Sequence, residues 1–263
     1  MTLEHVTSAD GTQIAFERTG SGPAVVLIGG AFNDRTSTGG LAATLAPFAT
    51  AVRYDRRGRG ASGASTDYDP TREIEDLAAV IGAVGAPAAV FGHSSGAVLA
   101  ALGAAAGLPV HKLALYEPAW VVDASRRRPS DDMPGRLQAL VADGKNDDAV
   151  VLFLTDAVAV PPGVVQGMRA SGVWEFLVSQ ATSLPFDVAA CGPGLELPGR
   201  QLARITAPAL VLNGSETTPW LAATSRAVAA AIPGAAHRVI DGQDHSILQQ
   251  PEALREVLAG FLG

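Results

Sequence analysis

The chain has 263 residues, 48% of them hydrophobic and 17% charged, with 19 Lys and Arg against 26 Asp and Glu for a net charge of −7. That composition excludes disorder, the length suits one large α/β domain, and the acidic balance has the wrong sign for phosphate backbones, so neither nucleic acid nor membrane is an expected partner. The lone Cys191 leaves no internal disulfide, and no basic, apolar leader or membrane-length apolar stretch is seen, so the expectation is a cytoplasmic protein acting on a small molecule.

In chain order, alternating residues around Asp10-Gly11 read as an opening hairpin. Short β-branched runs follow at 24–30, 51–58, 88–94, 112–118, 209–214 and 237–242, and helical stretches are read at 70–84, 94–106, 219–232 and 251–262. This alternation calls for a mostly parallel sheet with helices on both faces. Between about 120 and 201 the alternation stops, and a Pro- and Gly-punctuated segment carries Trp174, Phe176 and Phe186. The predicted organisation is an α/β core of 1–119 and 202–263, with 120–201 inserted over the sheet as a helical cap in which Trp174 and Phe176 shape specificity. Arg126-Arg127-Arg128 reads as a solvated face, with contact to an anionic substrate as the alternative.

The sharpest motif is GHSSG at 92–96, between the apolar run AAVF and the helical stretch AVLAALGAAA. A serine on a tight strand-to-helix turn needs small residues two places to either side, so that strand and helix can approach. Gly92 and Gly96 flank Ser94 in this way, whereas Ser95 has His93 and Ala97, which makes Ser94 the candidate nucleophile. A serine hydroxyl needs a base within reach. His245 follows the last strand inside the polar loop DGQDHS and is the candidate; His5, His111 and His237 read as structural and His93 as a packed support.

These residues resemble the α/β-hydrolase superfamily, as do YDRRGRGAS at 54–62, IGGAF at 28–32, PALVLNGSETTPW and the closing segment from GQDHS. The resemblance implies the α/β-hydrolase fold and no cofactor or metal. It also implies an oxyanion hole on the loop at Gly30 and Ala31, in which the backbone N–H groups of Ala31 and Ser95 act and the Ser95 hydroxyl does not. The loop begins Gly29-Gly30 where the family usually has His-Gly. The family's usual Asp after the penultimate strand is missing: GSETTPW offers Glu216, and the end of KLALYEP offers Glu117, a position used in haloalkane dehalogenases. Both stay open as the acid, while Asp55, Arg57 and Asp244 read as loop anchors.

The leading expectation is a serine hydrolase cleaving an ester, lactone or thioester of a small to medium apolar substrate. Acyl transfer, cyclisation or lyase chemistry by the same pair is the alternative, and a ligand-binding receptor with vestigial catalysis is another.

Overall fold

The computed structural model describes residues 2–64, 68–124 and 126–262. The opening hairpin is β1 (Glu4–Thr7) and β2 (Gln13–Gly20), followed by β3 (Ala24–Ile28), α1 (Gly39–Leu45), β4 (Thr50–Tyr54), α2 (Pro70–Ala83), β5 (Ala88–His93), α3 (Ser95–Ala105) and β6 (Val110–Tyr116). Next come α4 (Met133–Ala142), α5 (Asn146–Leu152), α6 (Pro162–Arg169), α7 (Val173–Ser179), α8 (Leu184–Ala190) and α9 (Gly199–Leu202), a helical interval without a strand among its described residues. β7 (Ala209–Gly214), α10 (Pro219–Ala231), β8 (Ala236–Ile240) and α11 (Arg255–Leu262) close the chain.

The strands form one sheet in the order β1-β2-β4-β3-β5-β6-β7-β8. β1 pairs with β2 and β2 with β4 antiparallel, and every other pairing is parallel. Every residue of β5 and β7 is buried, the unbroken apolar run of a strand covered on both faces. Leu41 and Leu45 of α1 and Leu258 of α11 pack with Leu27 and Phe91 on one face. Leu77 and Ile81 of α2, Val98 of α3 and Val228 of α10 pack with Val26 and Val90 on the other. Leu137, Val150 and Leu184 from the helical interval join this second cluster.

Local chemistry sets the element ends. Asp69 caps α2 by accepting from the Thr71 N–H, and Pro70 takes the first position, where a missing donor costs nothing. The run read as 51–58 stops being strand at Tyr54, because the Asp55 carboxylate accepts from the Arg35 and Ala61 backbone N–H groups and turns the chain. The closing helix opens with a 3₁₀ turn at Pro251–Leu254 before α11 begins. Helix α1 has no counterpart in the sequence reading; it opens on Gly39-Gly40, and no side chain caps it.

Between β3 and β5 the strand order reverses: after β3 the chain moves to β4 on one side, then crosses to β5 on the other. The crevice beyond the carboxyl ends of such strands is where open α/β sheets hold ligands. The loop after β3 and the β5–α3 junction both open there.

Because Leu137 of α4 is fully buried in the core cluster, Leu137→Ala should cost about 2–5 kcal/mol. Urea unfolding followed by tryptophan fluorescence should show that loss in one cooperative transition; two separated transitions would show that the helical interval folds on its own.

Candidate active site

Ser94 stands at the β5–α3 junction with φ 57° and ψ −122°, a conformation that costs a residue with a Cβ about 1–3 kcal/mol. The surroundings impose it. The Ser94 N–H donates to the Tyr116 carbonyl at 3.0 Å, and its own carbonyl accepts from Ala97 and Val98. A Cβ on Gly96 would lie 2.4 Å from the Ile28 carbonyl oxygen, so only glycine lets α3 start this close to β3. A Cβ on Gly30 would stand 2.7 Å from that of Ser94, which places the loop after β3 directly against the serine.

His245 comes from the loop after β8, and its Nδ1 lies 2.6 Å from Glu117 Oε2. Glu117 ends β6 fully buried, and its Oε1 accepts from the Gly214 N–H at the end of β7 at 2.9 Å. An ionised carboxylate only accepts, so His245 donates from Nδ1 and its Nε2 is left as the basic nitrogen. The loop that carries it is clamped. Tyr116 Oη donates to the Asp244 carbonyl at 2.8 Å, His93 Nε2 donates to the His245 carbonyl at 2.9 Å, and the His93 and His245 rings lie 4.7 Å apart.

Of the two candidate acids, the structure thus brings Glu117 to His245. Glu216 is not there: it is exposed, and its Oε1 accepts from the Ser215 hydroxyl. The physical reason is that β6 and β7 are neighbours in register from Leu113–Ala209 to Tyr116–Leu212, so the Glu side chain at the end of β6 reaches both the Gly214 N–H at the end of β7 and His245 beyond it. His5, His111 and His237 lie on β1, β6 and β8, outside the cavity wall.

Behind Ser94 lies a buried ionic cluster. Arg56 grips Glu73 through Nε and Nη2 at 2.5 and 2.7 Å, and its Nη1 donates to Asp187 Oδ1 at 2.8 Å and to Ser95 Oγ at 3.1 Å. Ser95 Oγ donates to the same Asp187 oxygen at 2.6 Å, so its hydroxyl is held within this cluster. Arg59 bridges Asp187 Oδ1 at 2.8 Å and the Gly30 carbonyl at 2.7 Å. Since a trans peptide sets its C=O and N–H on opposite sides, holding the Gly30 carbonyl also aims the Ala31 N–H. Burial opposes ionisation of Asp187, but the charges of Arg59 and Arg56 override it and hold the carboxyl below its usual range. None of Arg56, Arg59, Glu73 or Asp187 is a candidate from the sequence. The first two lie within the quoted YDRRGRGAS, but Asp187 carries no local signal. Asp55, Arg57 and Asp244 do anchor loops, binding Arg35, Asp76 and Ser246 respectively.

Ser94, Ser95, Ala31 and His245 line one cavity of about 780 Å³. Its wall is largely apolar, with Phe32, Phe153, Leu154, Leu177, Val188 and Trp220 among its residues. Phe153 and Leu154 come from a π-helical turn at Phe153–Ala157, a local widening that recurs at functional sites. Phe176 lines this cavity while half exposed. Trp174 does not line it: its side chain is turned away, donating from Nε1 to Asp147. Arg127 and Arg128 are exposed as read, but Arg126 is buried and lines the cavity. Among the described residues no group of three or more His, Cys, Asp or Glu has metal-holding geometry, and no helix is long and apolar enough to cross a membrane.

The sheet order and the switch-point crevice define an α/β-hydrolase fold. Residues 25–257 match the model of the Alpha/beta hydrolase family, and the chain belongs to that family. An alpha/beta hydrolase from Sphaerobacter thermophilus is 45% identical, with 99% of this chain and 100% of that one covered and a TM-score of 0.92. A thermophilic esterase from Thermogutta terrifontis (22% identity, coverage 100% and 98%, TM-score 0.74) and an enol-lactonase from Burkholderia xenovorans (22%, 98% and 99%, 0.72) share the fold. No curated protein matches the chain.

Burial, with the neighbouring His245, pushes the His93 imidazole down to about 3. The unfolded chain therefore takes up a proton below about pH 6.5 that the folded chain refuses; His93's contribution is full above that pH and falls by about 1.4 kcal/mol per unit toward pH 3. His93→Phe keeps a ring against Tyr116 and His245 and should flatten the acid side of a stability profile measured by denaturant unfolding. An unchanged slope would contradict this account of His93.

Proposed function

We propose that the chain is a cofactor-free serine hydrolase that cleaves an ester, lactone or thioester of a small to medium, largely apolar substrate through an acyl-enzyme. The observation that carries this reading is the hydrogen bond from His245 Nδ1 to the buried Glu117, with His245 lining the same cavity as the strained Ser94.

In this reading Ser94 Oγ attacks the substrate carbonyl as its proton passes to His245 Nε2. Glu117 holds the imidazole in the tautomer that can accept and stabilises the imidazolium by charge. The negative charge that develops on the carbonyl oxygen is met by the N–H groups of Ala31 and Ser95. Ser95 opens α3, so its N–H has no partner within the helix and sits at the positive end of the helix dipole. Collapse expels the alcohol or thiol, which takes the proton from His245. His245 then removes a proton from water as the water oxygen attacks the acyl carbon; collapse breaks the acyl–Oγ bond, His245 returns the proton to Ser94 Oγ, and the freed acid leaves. Residues 120–201 act as a cap that excludes bulk water and sizes the acyl group.

Ser94→Ala should lower ester turnover by about 10⁴-fold or more, and adding His245→Ala to it should cost little further, because the pair acts as a unit. A fluorophosphonate should label the wild type on Ser94 and leave the Ser94→Ala variant unlabelled; a label elsewhere would remove the assignment.

The acid separates by charge at constant shape. Glu117→Gln should reduce turnover by up to ~10⁴-fold, in line with what loss of a triad carboxylate's charge costs. Glu216→Gln should stay within about tenfold of wild type. Steady-state rates on a 4-nitrophenyl ester decide this, and a larger loss at Glu216 than at Glu117 would contradict the reading.

A further inference from the structure

Arg126 is the one buried guanidinium on the cavity wall that no carboxylate pairs with among the described residues. It is 6% exposed. Its Nη2 donates to the Ala157 carbonyl, and its Cζ stands 4.2 Å from the centroid of the Trp220 ring. Nε and Nη1 are buried without an acceptor among the described residues.

The chain does not treat its other deeply buried arginines this way. Arg56 is matched by Glu73 and Asp187, Arg57 by Asp76 and Asp10, and Arg59 by Asp187. Asp187 faces the same cavity, but Arg56 and Arg59 already compensate its charge. Burial pushes the Cys191 thiol up to about 12, so this neighbour brings Arg126 no negative charge. Arg126 feels the same burial, which holds its guanidinium down to about 10, still well above neutral pH. An unpaired cation in an apolar wall is costly to fold. The cost is offset when a ligand brings the missing anion, and a guanidinium suits a carboxylate better than any other side chain does.

We propose that Arg126 anchors a carboxylate carried by the substrate, so that the cavity takes an ester or lactone bearing a second, free carboxyl group. This rests on the hydrolase reading of the same cavity and narrows its substrate class: the apolar wall holds the connecting carbons, Ser94 meets the acyl carbon, and Arg126 holds the acid.

The test compares acid-bearing esters with neutral matches. Mono-4-nitrophenyl glutarate against 4-nitrophenyl hexanoate places the carboxylate on the acyl side, and 4-acetoxybenzoate against its methyl ester places it on the alcohol side. For at least one pair, wild type should reach a kcat/KM on the acid at or above that on the neutral ester. Arg126→Gln should lower that acid-to-neutral ratio about 30-fold or more, chiefly through KM, since an anchored charge pair loses at least that much when one partner is cut away. Arg126→Lys should recover part of it. A wild-type preference for the neutral ester in both pairs, or a ratio that Arg126→Gln leaves unchanged, would overturn the proposal. A binding measurement separates this from failure of the hydrolase reading: glutarate should raise the Tm of wild type, even if no ester is turned over, and the absence of any shift would also overturn the anchor.

Discussion

One hydrogen bond at the carboxyl edge of the sheet organises the candidate site: His245 Nδ1 to Glu117 Oε2, with Glu117 Oε1 held by the Gly214 N–H. A fully buried carboxylate is tolerable only if its oxygens are satisfied. Here the partners come from the end of β7 and from the loop after β8. The pair therefore ties the carboxyl ends of β6 and β7 to the loop that carries the proposed base. Tyr116 and His93 brace that loop through backbone carbonyls, so the imidazole direction follows from strand register and not from a free loop conformation.

The strained serine turn depends on a second constraint. The Arg56–Glu73–Asp187–Arg59 cluster spans the β4–α2 region and α8, and Ser95 and Gly30 are both bonded into it. Removing one member of such a cluster leaves a buried charge uncompensated, at a cost of about 3–5 kcal/mol. Asp187 belongs to the helical interval and the two arginines to the core. The seating of α8 on the core is thus coupled to the peptides proposed to face the developing oxyanion. Arg59 thereby fixes the loop that opens with Gly29-Gly30 through the Gly30 and Asn33 carbonyls.

How much of this was legible followed the range of the interactions. β-branched runs and helical stretches mark strands and helices locally, and all the expected strands form, though Gly39–Leu45 lacked any capping or periodic signal strong enough to be read as a helix. Ser94 and His245 could be named as candidates because a serine elbow and a loop histidine have local mechanics. Choosing between Glu117 and Glu216 required knowing which strand ends are neighbours, which depends on sheet order. Asp187 could not be found at all, since its role exists only once α8 docks on Arg56 and Arg59. Three consecutive arginines looked alike as letters, yet the chain buries Arg126 against Trp220 and leaves Arg127 and Arg128 in solvent.

The central claim is that Glu117 holds the His245 Nδ1 proton, and proton NMR of the resting protein tests it without any substrate. A histidine N–H bonded at 2.6 Å to a buried carboxylate should give a far-downfield, slowly exchanging resonance. It should vanish in His245→Ala, move sharply upfield in Glu117→Gln and stay in place in Glu216→Gln. A downfield resonance that ignores Glu117→Gln, or one that moves with Glu216→Gln, would contradict the account.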